Sequence, residues 1–152
     1  MKPGEQPRLI TVRNLQRTIA LPIPDLQAFA EQAVSECLKL RPGRATSLTE
    51  LAEIAILLIS DRRIASLHRR FMGEAGPTDV ITFDHGEIFI SVETGKRQAR
   101  EFGNSLTREL EIYIVHGLLH LHGYDDRKEA GAKEMALLQE RIVQAVEKKS
   151  PQ

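Results

Sequence analysis

Between Leu110 and Leu121 every residue except Glu111, Gly117 and the two histidines, His116 and His120, is apolar or tyrosine. A helix over this stretch has almost no face to give to water, so it must be buried nearly all round. A second segment, Ala52 to Ile59, is an apolar, β-branched run of strand length, and it reads as a central strand buried on both faces. A chain that holds both needs layers, with a sheet on one level and helices covering it.

The rest of the pattern fits around these two elements. Arg8 to Val12 reads as a short opening strand. Pro24 and Asp25 introduce a helix that carries Leu26, Phe29, Ala30, Ala33, Val34, Cys37 and Leu38 at steps of three and four and ends near Arg41-Pro42-Gly43. After the central strand, Asp61 is expected to N-cap a helix with Ile64, Leu67, His68 and Phe71. Val80, Ile81 and Phe83 then form a strand, and Ile88 to Val92 another, in a hairpin turning at His85-Gly86. Glu93 to Phe102 is helical, and Gly103-Asn104-Ser105 breaks the chain and offers an N-cap for the apolar helix, from Leu106 to about His122. Arg127 to Lys148 places Met135, Leu138, Ile142 and Ala145 on one face of an outer amphipathic helix. The order β-α-β-α-β-β-α-α-α predicts an α+β fold, a small mixed sheet of about four strands covered by helices. The absence of a long Ser/Gly/Pro linker makes residues 1–152 one expected domain.

Composition narrows the chemistry. One cysteine, Cys37, leaves no internal disulfide and no Cys-rich metal site, so ligands must come from His, Asp or Glu, and a reducing, cytoplasmic setting fits. No segment reaches the roughly 18 apolar residues of a membrane span, and the N-terminus has no signal-peptide pattern. Lys plus Arg equals Asp plus Glu at 21 each, so net charge does not decide for or against nucleic acid. Arg62, Arg63, Arg69 and Arg70 cluster on one expected helix, either as a phosphate-facing patch or as a solvated face.

The chemistry concentrates in Val115-His116-Gly117-Leu118-Leu119-His120-Leu121-His122-Gly123-Tyr124-Asp125-Asp126. Residues four apart on a helix lie one turn apart on the same face, so the His116 and His120 imidazoles reach one ion. A catalytic zinc site needs three protein ligands and an open position. Gly123 permits a left-handed bend that brings back Asp126, with Asp125 as the substitute donor. The competing role for Asp126 is to cap the last helix in a box with Glu129. His122 projects about 160° away from the midpoint of the other two histidines, which places it at the surface or in a layer behind the ligands. Gly117 stands where His-Glu-x-x-His metalloproteases carry their general base, so peptide hydrolysis by that route is disfavoured.

These residues resemble the YbeY family of bacterial rRNA maturation factors and endoribonucleases, whose pattern is His-Gly-x-Leu-His-Leu-x-Gly-Tyr-Asp-His; only the last position differs. The resemblance extends to Pro77-Thr78-Asp79-Val80-Ile81-Thr82-Phe83, similar to Pro-Thr-Asp-Val-Leu-Ser-Phe, and through Glu87-Ile88 to Gln98-Ala99. It implies one zinc ion per chain on His116, His120 and Asp126, RNA as the partner, and cleavage of single-stranded RNA in small-subunit (16S) rRNA maturation and ribosome quality control. DNA and membrane partners are not expected. Two departures stand out. Asp126 replaces the family's third histidine and neutralises more of the metal's charge, so water at the ion should be less acidic. Met72 replaces an arginine expected to contact phosphate, leaving Arg70 or Arg69 to act from the preceding turn. Thr78 and Asp79 are read either as shaping the mouth of the site or as a turn that starts a strand. The alternatives are a ribosome-assembly or RNA-binding factor with a structural zinc, and a small-molecule metallohydrolase.

Overall fold

Residues 9–149 are described by the structure, a computed structural model. Arg8, where the opening strand was expected to begin, lies outside them, as do the other residues at the two ends of the expected 1–152 domain. The elements are β1 (Leu9–Asn14), α1 (Ile23–Leu38), α2 (Ser47–Glu50), β2 (Glu53–Ile59), α3 (Asp61–Met72), β3 (Val80–Phe83), β4 (Glu87–Ser91), α4 (Val92–Phe102), α5 (Leu106–Leu121) and α6 (Glu129–Lys149). The fold is α+β. Its mixed sheet has the order β1-β2-β4-β3, with β1, β2 and β4 parallel and β3 antiparallel to β4.

The apolar run of β2 has no solvent face because both sides are covered. Ile54, Ile56 and Leu58 point with Ile88 and Ile90 into the larger core, shared with α1, α5 and α6. Leu57 and Ile59 join Ile81, Phe89 and Ile64 of α3 in a smaller core on the other face. Apolar area removed from water at ~25 cal/mol per Å² drives this arrangement, and the parallel pairings require the helical crossovers that supply the cover. α5 is the helix at the centre. It packs on α1, α4, α6, β3 and β4, with Leu110, Ile114, Val115, Leu118 and Leu119 fully buried.

Three local expectations change. The cap of α3 is Ser60, whose hydroxyl accepts the Arg63 N–H at 3.2 Å. Asp61 instead ties α3 to α4: it accepts hydrogen bonds from Ser91 Oγ (2.6 Å), Thr94 Oγ1 (2.6 Å) and Arg97 Nη1 (2.7 Å), while its own N–H donates to Glu93 Oε1 (2.9 Å). His122 is not at the surface but 1% exposed, and it does not touch the expected ligands. Its Nε2–H donates to the Leu40 carbonyl (2.8 Å), which leaves Nδ1 to accept from the Thr46 hydroxyl (2.9 Å). Thr46 in turn caps α2, a helix too short to announce itself by periodicity. Val92, expected to end a strand, opens α4. Among the described residues no helix is long and apolar enough to cross a membrane.

The Asp61 network gives a pH test. Burial alone would raise this carboxyl, but donation from Arg97, Ser91 and Thr94 outweighs it and holds the group below its ordinary value. A depressed folded pKa stabilises above the unfolded value near 4, and the gain is lost as pH falls through the folded pKa. Asp61→Asn should therefore destabilise by about 1–2 kcal/mol at neutral pH, with the gap from wild type closing as pH falls through the lowered folded pKa. Urea melts across that range check it; a gap independent of pH would count against the charge.

Candidate metal centre

One turn of α5 separates His116 from His120, and the helix brings their rings to 4.6 Å between centroids at 77° to each other. Leu121 ends the helix, and His122 and Gly123 turn the chain. Gly123 sits at φ 93°, its N–H bonds to the His120 carbonyl and the Tyr124 N–H to that of Leu119, the paired bonds of a Schellman cap. It is the backbone twist that calls for glycine here, since a Cβ at Gly123 would closely meet only the mobile end of the Arg44 side chain, Nη2 at 2.8 Å, which can swing aside.

The bend sorts the two acids. Asp125 folds onto its own turn: Oδ1 accepts the Arg127 N–H at 2.8 Å and Oδ2 the Arg127 Nε–H at 2.5 Å. Asp126 faces the histidines, with Oδ2 at 3.4 Å from His116 Nε2 and Oδ1 at 3.6 Å from His120 Nε2. Helix α6 begins only at Glu129, whose carboxylate pairs with Lys133, so the capping box with Asp126 is not formed. One donor atom from each of His116, His120 and Asp126 lies within 4.8 Å of the others.

Hydrogen bonding fixes the tautomers. The Tyr124 carbonyl can only accept, so the His120 Nδ1 at 3.1 Å is the protonated one. His116 Nδ1 meets Gln139 Oε1 of α6 in the same sense. Both lone pairs therefore sit on Nε2, and the two Nε2 atoms face each other at 3.0 Å beside a carboxylate. Three converging electron pairs repel unless a cation lies among them, and two imidazoles plus one carboxylate is a donor set that suits zinc. Burial, and then the neighbouring His116, hold the His120 imidazole below its ordinary pKa, which favours the neutral, ligating form.

The three donors open into a cleft of about 590 Å³. Its walls include Met72, Thr78, Asp79, Thr82, Asp84, Tyr124 and Arg127. Thr78 and Asp79 also start the strand, since Asp79 Oδ1 accepts the Val80 N–H at 2.8 Å. Both readings of this pair therefore find a place in the geometry. Arg69 and Arg70 do not line the cleft; the Arg70 guanidinium lies 5.5 Å from the Phe71 ring centroid. Arg127 does line it. Sequence reasoning missed Arg127 and Gln139. A polar Gln139 four residues after the buried Met135 and three before the buried Ile142 was the available signal.

The family model described as Endoribonuclease YbeY matches residues 11–147. Among proteins named Endoribonuclease YbeY, that of Moorella thermoacetica is 41% identical over 114 residues, covering 62% of this chain and 73% of the relative. That of Pelotomaculum thermopropionicum is 33% identical over 149 residues, covering 88% and 94%. The Anaeromyxobacter sp. protein is 38% identical over 121 residues, and the match takes in 70% of this chain but only 63% of the relative. A protein of Thermotoga maritima, known from its solution structure, superposes with a TM-score of 0.63 at 28% identity, over 91% of this chain and 89% of that one. With a family model matched almost end to end, the histidine pair on its central helix and the bend and acid just beyond it, the chain belongs to the YbeY family.

Proposed function

We propose that this chain is a zinc-dependent endoribonuclease, built as one metallohydrolase domain, that cuts single-stranded RNA in the cytoplasm during small-subunit (16S) rRNA maturation and ribosome quality control. The observation that carries the reading is the convergence of His116 Nε2, His120 Nε2 and the Asp126 carboxylate in an open cleft. The names of the relatives support RNA as the substrate. His116, His120 and Asp126 would hold the ion, which when bound supplies Lewis acidity to a phosphodiester and to water. Gln139 and the Tyr124 carbonyl keep both imidazoles presenting Nε2. Arg127, held by Asp125, puts a permanent positive charge on the cleft wall, where charge builds on a phosphate oxygen. Thr78 and Asp79 line the same cleft and would shape its mouth.

A role in ribosome assembly with a structural zinc and little turnover is the competing reading. It is favoured by the balance of charge in the cleft, where Asp79, Asp84, Asp125 and Asp126 face a single arginine. Cleavage decides between them. Zinc-loaded protein should cut an unstructured RNA and spare its base-paired form, and a chelator should abolish the activity until zinc is restored. Intact RNA in the presence of fully loaded protein, with co-sedimentation on small ribosomal subunits retained, would give the site to binding instead.

A further inference from the structure

The end of α3 and the turn of the β3-β4 hairpin expose aromatic surface that the fold does not need, on the α3 side of the edge strand whose other side faces the metal cleft. Phe71 is 56% exposed and Met72 49%. Met72, Thr82 and Asp84 line the cleft, and because side chains alternate along a strand Phe83 turns to the opposite face of β3, where it packs against the smaller core under α3. The inner part of this cluster has a packing role, because Phe83 meets Phe89 of the smaller core edge-on, with centroids 5.8 Å apart. The outer part does not. Phe71 reaches over Phe83 edge-on at 5.2 Å yet stays mostly in water. His85 lies nearly parallel to Phe83, at 15° and 5.5 Å, while its side chain remains 65% exposed. One face of its ring is backed and the other is open. Glu87 Oε1, 2.6 Å from His85 Nε2, fixes the ring in that pose.

Backed, oriented rings with a free face are what an unpaired base stacks on, and a guanidinium alongside completes such a site by meeting the attached phosphate. Arg70 stands there, over Phe71. The polyanion has a path onward, since the helical spacing of Arg62, Arg63, Arg69 and Arg70 sets them in a stripe of roughly 120°. All four are exposed, and among the described residues none pairs with a carboxylate. Positive charge next to free aromatic faces fits a single-stranded nucleic acid better than a peptide or a second protein surface, because every base offers a flat face only when it is not stacked in a duplex.

We propose that His85, backed by Phe83, and Phe71, flanked by Arg70, offer two separate stacking faces for unpaired bases of one strand on the α3 side of the β3 edge, across that strand from the metal cleft. This rests on the RNA-cleaving reading above. It adds the feature by which single strands are chosen, and it places the four arginines outside the reacting centre as backbone contacts.

The test uses the full, zinc-loaded chain and a short fluorescent 2′-O-methyl oligoadenylate, which resists cleavage, beside an abasic oligomer of equal length and charge. Wild type should bind the oligoadenylate tighter than the abasic chain. Phe71→Leu and His85→Ala should each weaken oligoadenylate binding about tenfold. Neither should change abasic binding or zinc content, and Phe71→Tyr should restore the wild-type value. Equal loss on both oligomers would mean a disturbed fold and overturn the proposal. Unchanged RNA affinity in the variants, with wild type still cleaving RNA, would overturn it and leave the nuclease reading standing. Unchanged RNA affinity together with lost co-sedimentation on ribosomal subunits would assign the patch to protein contact and overturn it too. A wild type that neither binds nor cuts RNA would remove both proposals at once.

Discussion

Replacing His120 with alanine is expected to leave a folded chain that carries almost no zinc. The side chain is 28% exposed and its one protein bond beyond the donor cluster is to the Tyr124 carbonyl, so the helix loses little when it goes. Alanine is also the best helix former. The metal loses far more. Disturbing a group behind a ligand typically costs 10–100-fold in affinity, so removing a ligand itself should cost roughly 100-fold or more. Two donors remain, and of these Asp126 is 41% exposed and bound to neither imidazole by a short contact, so it would turn to solvent. Metal analysis after gel filtration should find roughly one zinc per wild-type chain and a small fraction of that in the variant, with RNA cleavage falling in step. Equal zinc in the two proteins would mean that the ion, if bound, is held elsewhere, and the proposed chemistry would lose its base.

The reach of the sequence was set by range. Periodicity and capping are local, so the α+β class, the extent of α5, the hairpin and the two histidines one turn apart could be read directly. The Gly123 bend was legible as well, because a glycine after an apolar helix has few other reasons to stand there. Strand order was not, since β1-β2-β4-β3 is decided by which faces helices α1 and α3 cover, and no window of residues records that. His122 was misplaced for a related reason. Its direction on the helix was right, but the polar partners that let it be buried, Leu40 and Thr46, come from segments about eighty residues away. Asp61 looked like a cap because acids often are caps; only the arrival of α4 with Ser91, Thr94 and Arg97 gives its carboxylate another task. Gln139 and Arg127 belong to the same class, polar groups whose role exists only once α6 lies against α5 and the bend has formed.

Gly117 carries the other large effect, and it explains why this helix cannot take the metalloprotease pattern. A Cβ at that position would lie 2.7 Å from Ile88 Cγ2, 2.9 Å from Cδ1 and 3.1 Å from Cγ1, inside any normal contact distance. Ile88 is fully buried in the middle of the sheet and has nowhere to go. The missing side chain is what lets α5 settle onto β4, and that depth sets where His116 and His120 stand relative to the cleft. Gly117→Ala gains up to about 1 kcal/mol of helix propensity but forces overpacking that typically costs 1–3 kcal/mol and can exceed that in a rigid core. The net expectation is a loss of about 1–2 kcal/mol in denaturant melts, accompanied by weaker zinc binding as the histidine-bearing turn is lifted. Gly117→Glu, which would write His-Glu-x-x-His into the chain, should fail to fold, because it adds a carboxylate to the same filled space. Shortening the obstacle separates packing from other causes: Ile88→Ala combined with Gly117→Ala should be less destabilised than the sum of the two single changes. A Gly117→Ala protein as stable as wild type, or strictly additive behaviour in that pair, would show that the close approach of α5 to β4 is not what the glycine is there for.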